Sequence, residues 1–95
     1  MSHTSRKPTS PGEILAEEFL KPMGLTQGVL AKHIGCDVKV INRIINERTA
    51  VTAEMALKLS AVFGNTADFW LNAQKAVDLY NASKKIGRLP KPLAA

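Results

Sequence analysis

The sequence predicts an all-α protein, a single bundle of five helices. Three observations favour this fold class. Apolar residues recur at spacings of three and four along most of the chain, a Ser, Thr or Asp precedes each helical segment as a cap, and no segment pairs a hairpin turn with apolar alternation. A chain of 95 residues is long enough for one domain with a modest core.

The first helix is expected to begin at Ser10. Ser10 is a good N-cap, Pro11 suits the first helical position, and Glu13 can close a capping box. Pro22 and Gly24 are both helix breakers, so we expect the helix to end there.

The second and third helices are short. Thr26 can cap a helix over about residues 26–33, which Gly35 stops. Asp37 can cap the next, over about residues 38–46. The apolar side of this third helix carries Ile41, Ile44 and Ile45.

The fourth and fifth helices complete the bundle. Thr52 opens the fourth, which Gly64 stops, and Thr66 opens a longer fifth helix through about Ser83. Candidate buried positions of the fifth helix are Phe69, Trp70, Ala73, Val77 and Tyr80.

The chain is thus divided into three parts. Residues 1–9 are polar and are expected to be flexible, residues 10–85 form the folded domain, and residues 86–95 form a loose basic tail.

The composition excludes several classes of protein. With 45% hydrophobic and 22% charged residues, the chain is typical of globular proteins. It has no apolar run of the roughly 20 residues that a membrane helix needs, and no secretory signal at its polar N-terminus. The single Cys36 cannot form an internal disulfide. We therefore expect a cytoplasmic protein, and its net charge of +5 favours an anionic partner.

The link between the second and third helices points to a function. Residues 34–37 are so few that the two helices must cross steeply, Ala31 is small enough for a close contact, and Gly35 can adopt a left-handed backbone. Ile41 and Ile44 share one face and can anchor the third helix to the core. This arrangement is a helix-turn-helix.

The third helix would then be a recognition helix that presents its outer side to the major groove. Asn42 can bond adenine N6 and N7, and Lys39 or Arg43 can donate to guanine O6 and N7. Val38 can touch a thymine methyl group. The alternative is a solvated polar face.

Other residues are candidates for contacts with the DNA backbone. Gln27 begins the second helix, where free N–H groups and the positive helix end favour a phosphate. Arg48 and Thr49, in the loop after the third helix, can form a second phosphate clamp.

One such module offers little contact area, so we expect a two-fold dimer whose recognition helices lie about 34 Å apart. The candidate interface is the fifth helix, through Phe69, Trp70, Val77 and Tyr80. Phe69 and Trp70 are adjacent and cannot point the same way, so one can fill the core while the other meets the partner; the alternative is that both belong to the core.

The helix-turn-helix is similar to that of a known family. Its polar, small and apolar key residues fall where the lambda Cro and repressor family places its own: Gln27, Ala31, Gly35, Ile41 and Ile44. This resemblance implies a five-helix, lambda-repressor-like bundle that binds double-stranded DNA.

A closer resemblance covers about residues 10–83. The segments PGEILAEEFLKPMGLTQ and INERTAVTAEMALKLSAVFGNTADFWLNAQKAVDLY resemble the HigA antitoxin branch, with FWLNAQ as the most specific element. The resemblance implies a homodimer that binds a palindromic operator and represses its own operon. It also implies a RelE/HigB-like toxin as partner, which the antitoxin neutralises. A stand-alone regulator without a toxin is the alternative.

One position departs from the family. Members often carry Gly just after the recognition helix, where this chain has Glu47. Because a left-handed backbone is costly for Glu, we expect Asn46 to adopt it instead. A carboxylate at Glu47 would also oppose a nearby phosphate.

An enzyme is not expected. His33 and Cys36 lie near each other in sequence but have no orienting carboxylate for nucleophilic catalysis except Asp37, which is expected to cap the third helix. They also lack a second pair of ligands at metal-binding spacing. We therefore expect no catalytic residue, no metal and no cofactor.

Overall fold

The computed structural model of the protein describes residues 6–93, which form five helices and no strand. Helix α1 runs over residues 11–23 and is followed by α2 (Gln27–Ile34), α3 (Val38–Ile45), α4 (Ala53–Phe63) and α5 (Ala67–Ile86). The predicted all-α, five-helix fold is confirmed.

Each helix begins at the predicted N-cap. In all five cases a side-chain oxygen of the cap accepts a hydrogen bond from a backbone N–H of the first turn, at 2.8–3.2 Å. These bonds satisfy N–H groups that have no partner within the helix. The caps are Ser10, Thr26, Asp37, Thr52 and Thr66.

Helix α1 differs from the prediction at its C-terminal end. Its middle, Leu15–Leu20, is wound as a π-helix, and Pro22 lies inside the last turn instead of ending the helix. A proline has no N–H to bond and needs room for its ring, and the wider turn that precedes it tolerates both. The helix ends at Gly24, whose φ of 66° is left-handed.

Helix α5 is longer than predicted and ends at Ile86, with Gly87 after it. Lys84 and Lys85 in its last turn are favourably placed at the negative end of the helix. Residue 86 therefore belongs to the helix and not to the tail. Residues 1–5 and 94–95, the outer parts of the two predicted flexible ends, lie outside the described residues.

The core lies where all five helices meet, and each helix supplies one of its largest fully buried side chains. Burial of such a side chain stabilises the fold by about 1.5–3 kcal/mol. These residues are Leu15, Leu30, Ile41, Leu59 and Trp70. The indole N–H of Trp70 donates to Asn65 Oδ1 at 2.9 Å, so the buried ring leaves no polar atom unsatisfied.

Phe69 and Trp70 lie in different surroundings, one partly exposed and the other in the core. Trp70 is 0% exposed and Val77 is 6% exposed, whereas Phe69 is 39% exposed. The chain's own core thus encloses Trp70 and nearly all of Val77, so among the four predicted interface residues Phe69 and Tyr80 have more surface to offer a partner. Phe69 points away because adjacent helical residues project about 100° apart. Tyr80 is half-buried.

Candidate nucleic-acid interface

The turn between α2 and α3 forms as predicted. Gly35 has a φ of 90°, and its N–H donates to the Ala31 carbonyl at 2.8 Å. The N–H of Cys36 donates to the same carbonyl at 2.9 Å, which closes the end of α2 and redirects the chain. Ala31 is buried at the helix contact. Gly35 is required because a residue with a Cβ adopts this backbone only at a cost.

Helix α3 has one anchored side and one free side. Ile41 and Ile44 are buried in the core. The other side carries the four residues that the sequence assigned to base contacts, and all four are exposed: Val38, Lys39, Asn42 and Arg43. The carboxylate of Asp37 caps the helix by accepting from the Lys39 N–H at 2.8 Å. The structure thus brings the predicted recognition residues together on one surface.

A chain of amides orients Asn42. Its Nδ2 donates to Gln27 Oε1 at 3.2 Å, and its Oδ1 accepts from Asn46 Nδ2 at 3.2 Å. Each bond uses only one of the two hydrogens on Nδ2 and one of the two lone pairs on Oδ1. One donor and one acceptor therefore remain for a paired contact with adenine.

The same bond orients Gln27. Because Gln27 Oε1 accepts from Asn42, the Nε2 group of Gln27 is left to donate elsewhere. A phosphate is an acceptor, so this orientation matches a contact with the DNA backbone. Sequence reasoning placed Gln27 beside a phosphate but did not foresee its bond to the recognition helix.

Lys39 and Arg43 are the two basic side chains of the exposed face. Among residues 6–93 neither forms an ion pair. Their donors are available for guanine O6 and N7 or for phosphate oxygens.

The loop after α3 contains a backbone feature that the sequence prediction placed one residue too early. Glu47, not Asn46, is left-handed: its φ is 57°, while that of Asn46 is −89°. The Glu47 N–H donates to the Ile44 carbonyl at 3.1 Å and the Arg48 N–H to the Arg43 carbonyl at 2.8 Å. This pair of bonds requires the left-handed residue at position 47, whatever the residue's own preference.

Arg48 and Thr49 follow in this loop, and both are exposed. The loop is held at its far end by Gln74 of α5, whose Oε1 accepts from the Val51 N–H at 2.9 Å. Gln74 Nε2 in turn donates to Asp78 Oδ1 at 2.9 Å. Gln74 was not among the predicted site residues, although it is the last residue of FWLNAQ, the segment most specific to the resemblance.

Gly12 is a second residue that the sequence reasoning missed. A Cβ at this position would overlap the Ile44 carbonyl oxygen and lie 2.8 Å from Ile45 Cα. The start of α1 therefore packs directly on the backbone of the last turn of α3. Only glycine permits so close an approach. The contact fixes the position of α3 from its buried side.

The described part of the chain contains neither a metal-binding group of side chains nor a membrane-spanning helix. Within residues 6–93, no three His, Cys, Asp or Glu side chains come together as a metal-binding group. No helix in that range is long and apolar enough to cross a membrane.

Comparisons with known proteins agree with this geometry. A family model described as helix-turn-helix matches residues 17–70. Antitoxin HigA-1 of Vibrio cholerae is 44% identical over 96 residues, covering 98% of this chain and 90% of the relative.

Two solved structures are similar over almost their whole length. Antitoxin GraA in complex with its operator has a TM-score of 0.83 and 39% identity, covering 99% of this chain and 100% of that one. Pseudomonas aeruginosa antitoxin HigA with the higBA promoter has a TM-score of 0.84 and 33% identity, covering 92% and 99%. The chain therefore belongs to the HigA-type antitoxins of the Cro/repressor-like helix-turn-helix family, whose members are DNA-binding proteins and not enzymes.

Proposed function

We propose that the protein is an antitoxin and autorepressor that binds a palindromic operator as a homodimer and neutralises a RelE/HigB-like toxin. The observation that carries the DNA-binding part is the exposed side of α3, anchored from behind by Ile41 and Ile44. Such a helix can enter a major groove without disturbing the core.

Sequence is read by the exposed side of α3. Asn42 pairs with an adenine through its remaining donor and acceptor, and Lys39 and Arg43 donate to guanines. Val38, which is 45% exposed, contacts a thymine methyl group. Because the amide chain orients Asn42 before binding, less side-chain entropy is lost on the DNA.

The backbone of the DNA is held on two sides of the recognition helix. Gln27 donates its Nε2 to one phosphate, and Arg48 and Thr49 bind another from the loop that Gln74 holds. These contacts set the orientation of the protein and make binding dependent on salt concentration.

The homodimer forms through α5. This helix has 20 residues and therefore measures about 30 Å. Its last buried side chain is Val77, so its C-terminal part is left uncovered by the chain's own core. The exposed or half-buried apolar side chains available to a partner are Phe69, Leu79, Tyr80 and Ile86. Trp70 and Val77 are buried in the monomer and support this surface from below.

The proposal of toxin neutralisation is supported by antitoxins to which this chain is similar over nearly its whole length. It is tested by co-expressing the protein with the product of a neighbouring reading frame that encodes a RelE-like toxin. The two products should purify as one complex, and the antitoxin should restore growth. A neighbouring RelE-like toxin that remains active and unbound would contradict this part of the proposal and favour a stand-alone regulator.

DNA binding is tested with a labelled duplex of the region upstream of the protein's own gene. The protein should shift this duplex at concentrations about a thousandfold below those needed for a scrambled duplex of the same composition. Equal affinity for the two duplexes would contradict sequence-specific repression.

A further inference from the structure

An ion pair ties the segment before α1 to the loop after the recognition helix. Lys7 Nζ lies 2.9 Å from Glu47 Oε1, and the two side chains are 50% and 39% exposed. An exposed pair of this kind adds little to stability. Its position is more informative, because Glu47 is the residue directly before Arg48 and Thr49.

The carboxylate of Glu47 presents a difficulty for DNA binding. It occupies a left-handed position that costs a residue with a Cβ about 1–2 kcal/mol, and it places a negative charge beside the loop that is proposed to hold a phosphate. The negative charges of Glu47 and of a phosphate held by this loop repel each other, and the repulsion grows as the binding interface excludes water. Without compensation, Glu47 would weaken the clamp.

Lys7 supplies the compensation. Its hydrogen bond to Glu47, and then the charge of Glu47, raise the pKa of Lys7 above its usual value, with smaller effects from Tyr80 and Glu13. Lys7 therefore stays charged across the physiological range. The segment that carries it is fixed close by, since Ser10 caps α1 and Gly12 packs on the end of α3.

From this geometry we infer that Lys7 is a positioning residue for DNA binding: it neutralises Glu47 so that the loop with Arg48 and Thr49 can approach a phosphate. This inference rests on the proposed function. In it, Lys7 acts through Glu47 and makes no base contact.

The inference is tested by a double-mutant cycle in the full chain, with affinity for the upstream duplex measured by fluorescence anisotropy. Lys7→Ala should weaken binding about tenfold at ~0.1 M salt, because it removes one positive charge and exposes one negative charge. Glu47→Gln should bind as tightly as the unaltered protein or more tightly. In the Glu47→Gln background, Lys7→Ala should change affinity by less than about twofold.

A charge-matched control is Lys58→Ala on α4, which likewise breaks an exposed ion pair, the one with Glu54 at 3.0 Å. It removes the same charge and should change affinity by less than about twofold. Thermal unfolding of each variant verifies that the fold is intact.

Two results would overturn the inference and leave the proposed function standing. One is an unchanged affinity of Lys7→Ala when Asn42→Ala weakens specific binding. The other is an equal loss from Lys7→Ala in both backgrounds, which would make Lys7 a direct phosphate contact. Failure of the unaltered protein to prefer its upstream duplex would instead overturn the proposed function.

Discussion

Asn42 on the recognition helix donates a 3.2 Å hydrogen bond to Gln27 at the start of the preceding helix. The bond joins the residue proposed to read a base to the residue proposed to hold a phosphate. Each amide fixes the orientation of the other, so the proposed base contact and the proposed phosphate contact are coupled.

Substitution of Asn42 or Arg43 should weaken specific binding. We expect Asn42→Ala and Arg43→Ala each to cost about 1–3 kcal/mol in affinity for the upstream duplex, with relaxed preference at one base pair. Gln27→Ala should weaken binding to both specific and non-specific duplexes, since it removes a phosphate contact, and to the specific duplex more, since it also removes the hydrogen bond that orients Asn42. Anisotropy titrations against matched and scrambled duplexes measure both effects. Unchanged sequence preference in Asn42→Ala and Arg43→Ala would mean that α3 does not read the bases.

Replacement of Gly12 should destabilise the fold. The new Cβ of Gly12→Ala would press on the backbone of Ile44 and Ile45, which cannot move without shifting α3. We expect a loss of about 1–3 kcal/mol in the free energy of unfolding, measured by urea denaturation. The matched control is Gly28→Ala in α2, where a Cβ would have no neighbour closer than 4.0 Å. It should stabilise by roughly 0.5–1 kcal/mol. Equal stability of both variants would contradict the close packing of α1 on α3.

Glycine at position 47 should relieve the left-handed backbone. Glu47→Gly and Glu47→Ala both lose the ion pair with Lys7, so their difference isolates the backbone effect. We expect the glycine variant to be more stable than the alanine variant by about 1 kcal/mol, a rise of roughly 4–8 °C in Tm. Calorimetry measures this rise, and equal Tm values would show that Glu47 is not strained.

Removal of the Trp70 side chain should unfold the monomer and not merely separate a dimer. Trp70 is 0% exposed and contacts the rings of Phe19 and Phe63 at centroid distances of 5.4 and 6.2 Å. Trp70→Ala should cost about 3–5 kcal/mol in the free energy of unfolding. The neighbouring and partly exposed Phe69 is the control, and Phe69→Ala should cost clearly less. A stable but monomeric Trp70→Ala would restore Trp70 to the interface.

A charge on the outer side of α5 should separate the proposed dimer. Leu79 and Leu57 are both 63% exposed but lie on α5 and α4, respectively. Leu79→Asp should raise the Kd of the dimer at least about tenfold, because a buried unpaired carboxylate is costly, while Leu57→Asp should leave it unchanged. Sedimentation velocity measures the monomer fraction. The reverse pattern would place the interface on α4.

Local chemistry determined much of this protein. Side chains that bond their own first turn, such as Ser10 and Asp37, act over three residues or fewer, so the helix starts could be read from the sequence. The turn at Gly35 follows from local sequence in the same way, and the period of the helix places Val38, Lys39, Asn42 and Arg43 on its exposed side. The five-helix fold and the residues on the exposed side of α3 were therefore predictable.

The tertiary structure decided what depends on contacts between distant residues. Periodicity alone could not separate Phe69 from Trp70, since only the packing of α1 and α4 shows which ring is enclosed. Three contacts join segments more than 20 residues apart: the hydrogen bond between Val51 and Gln74, the packing of Gly12 on Ile44, and the ion pair of Lys7 with Glu47. No local propensity encodes such contacts, because they exist only once the helices have packed.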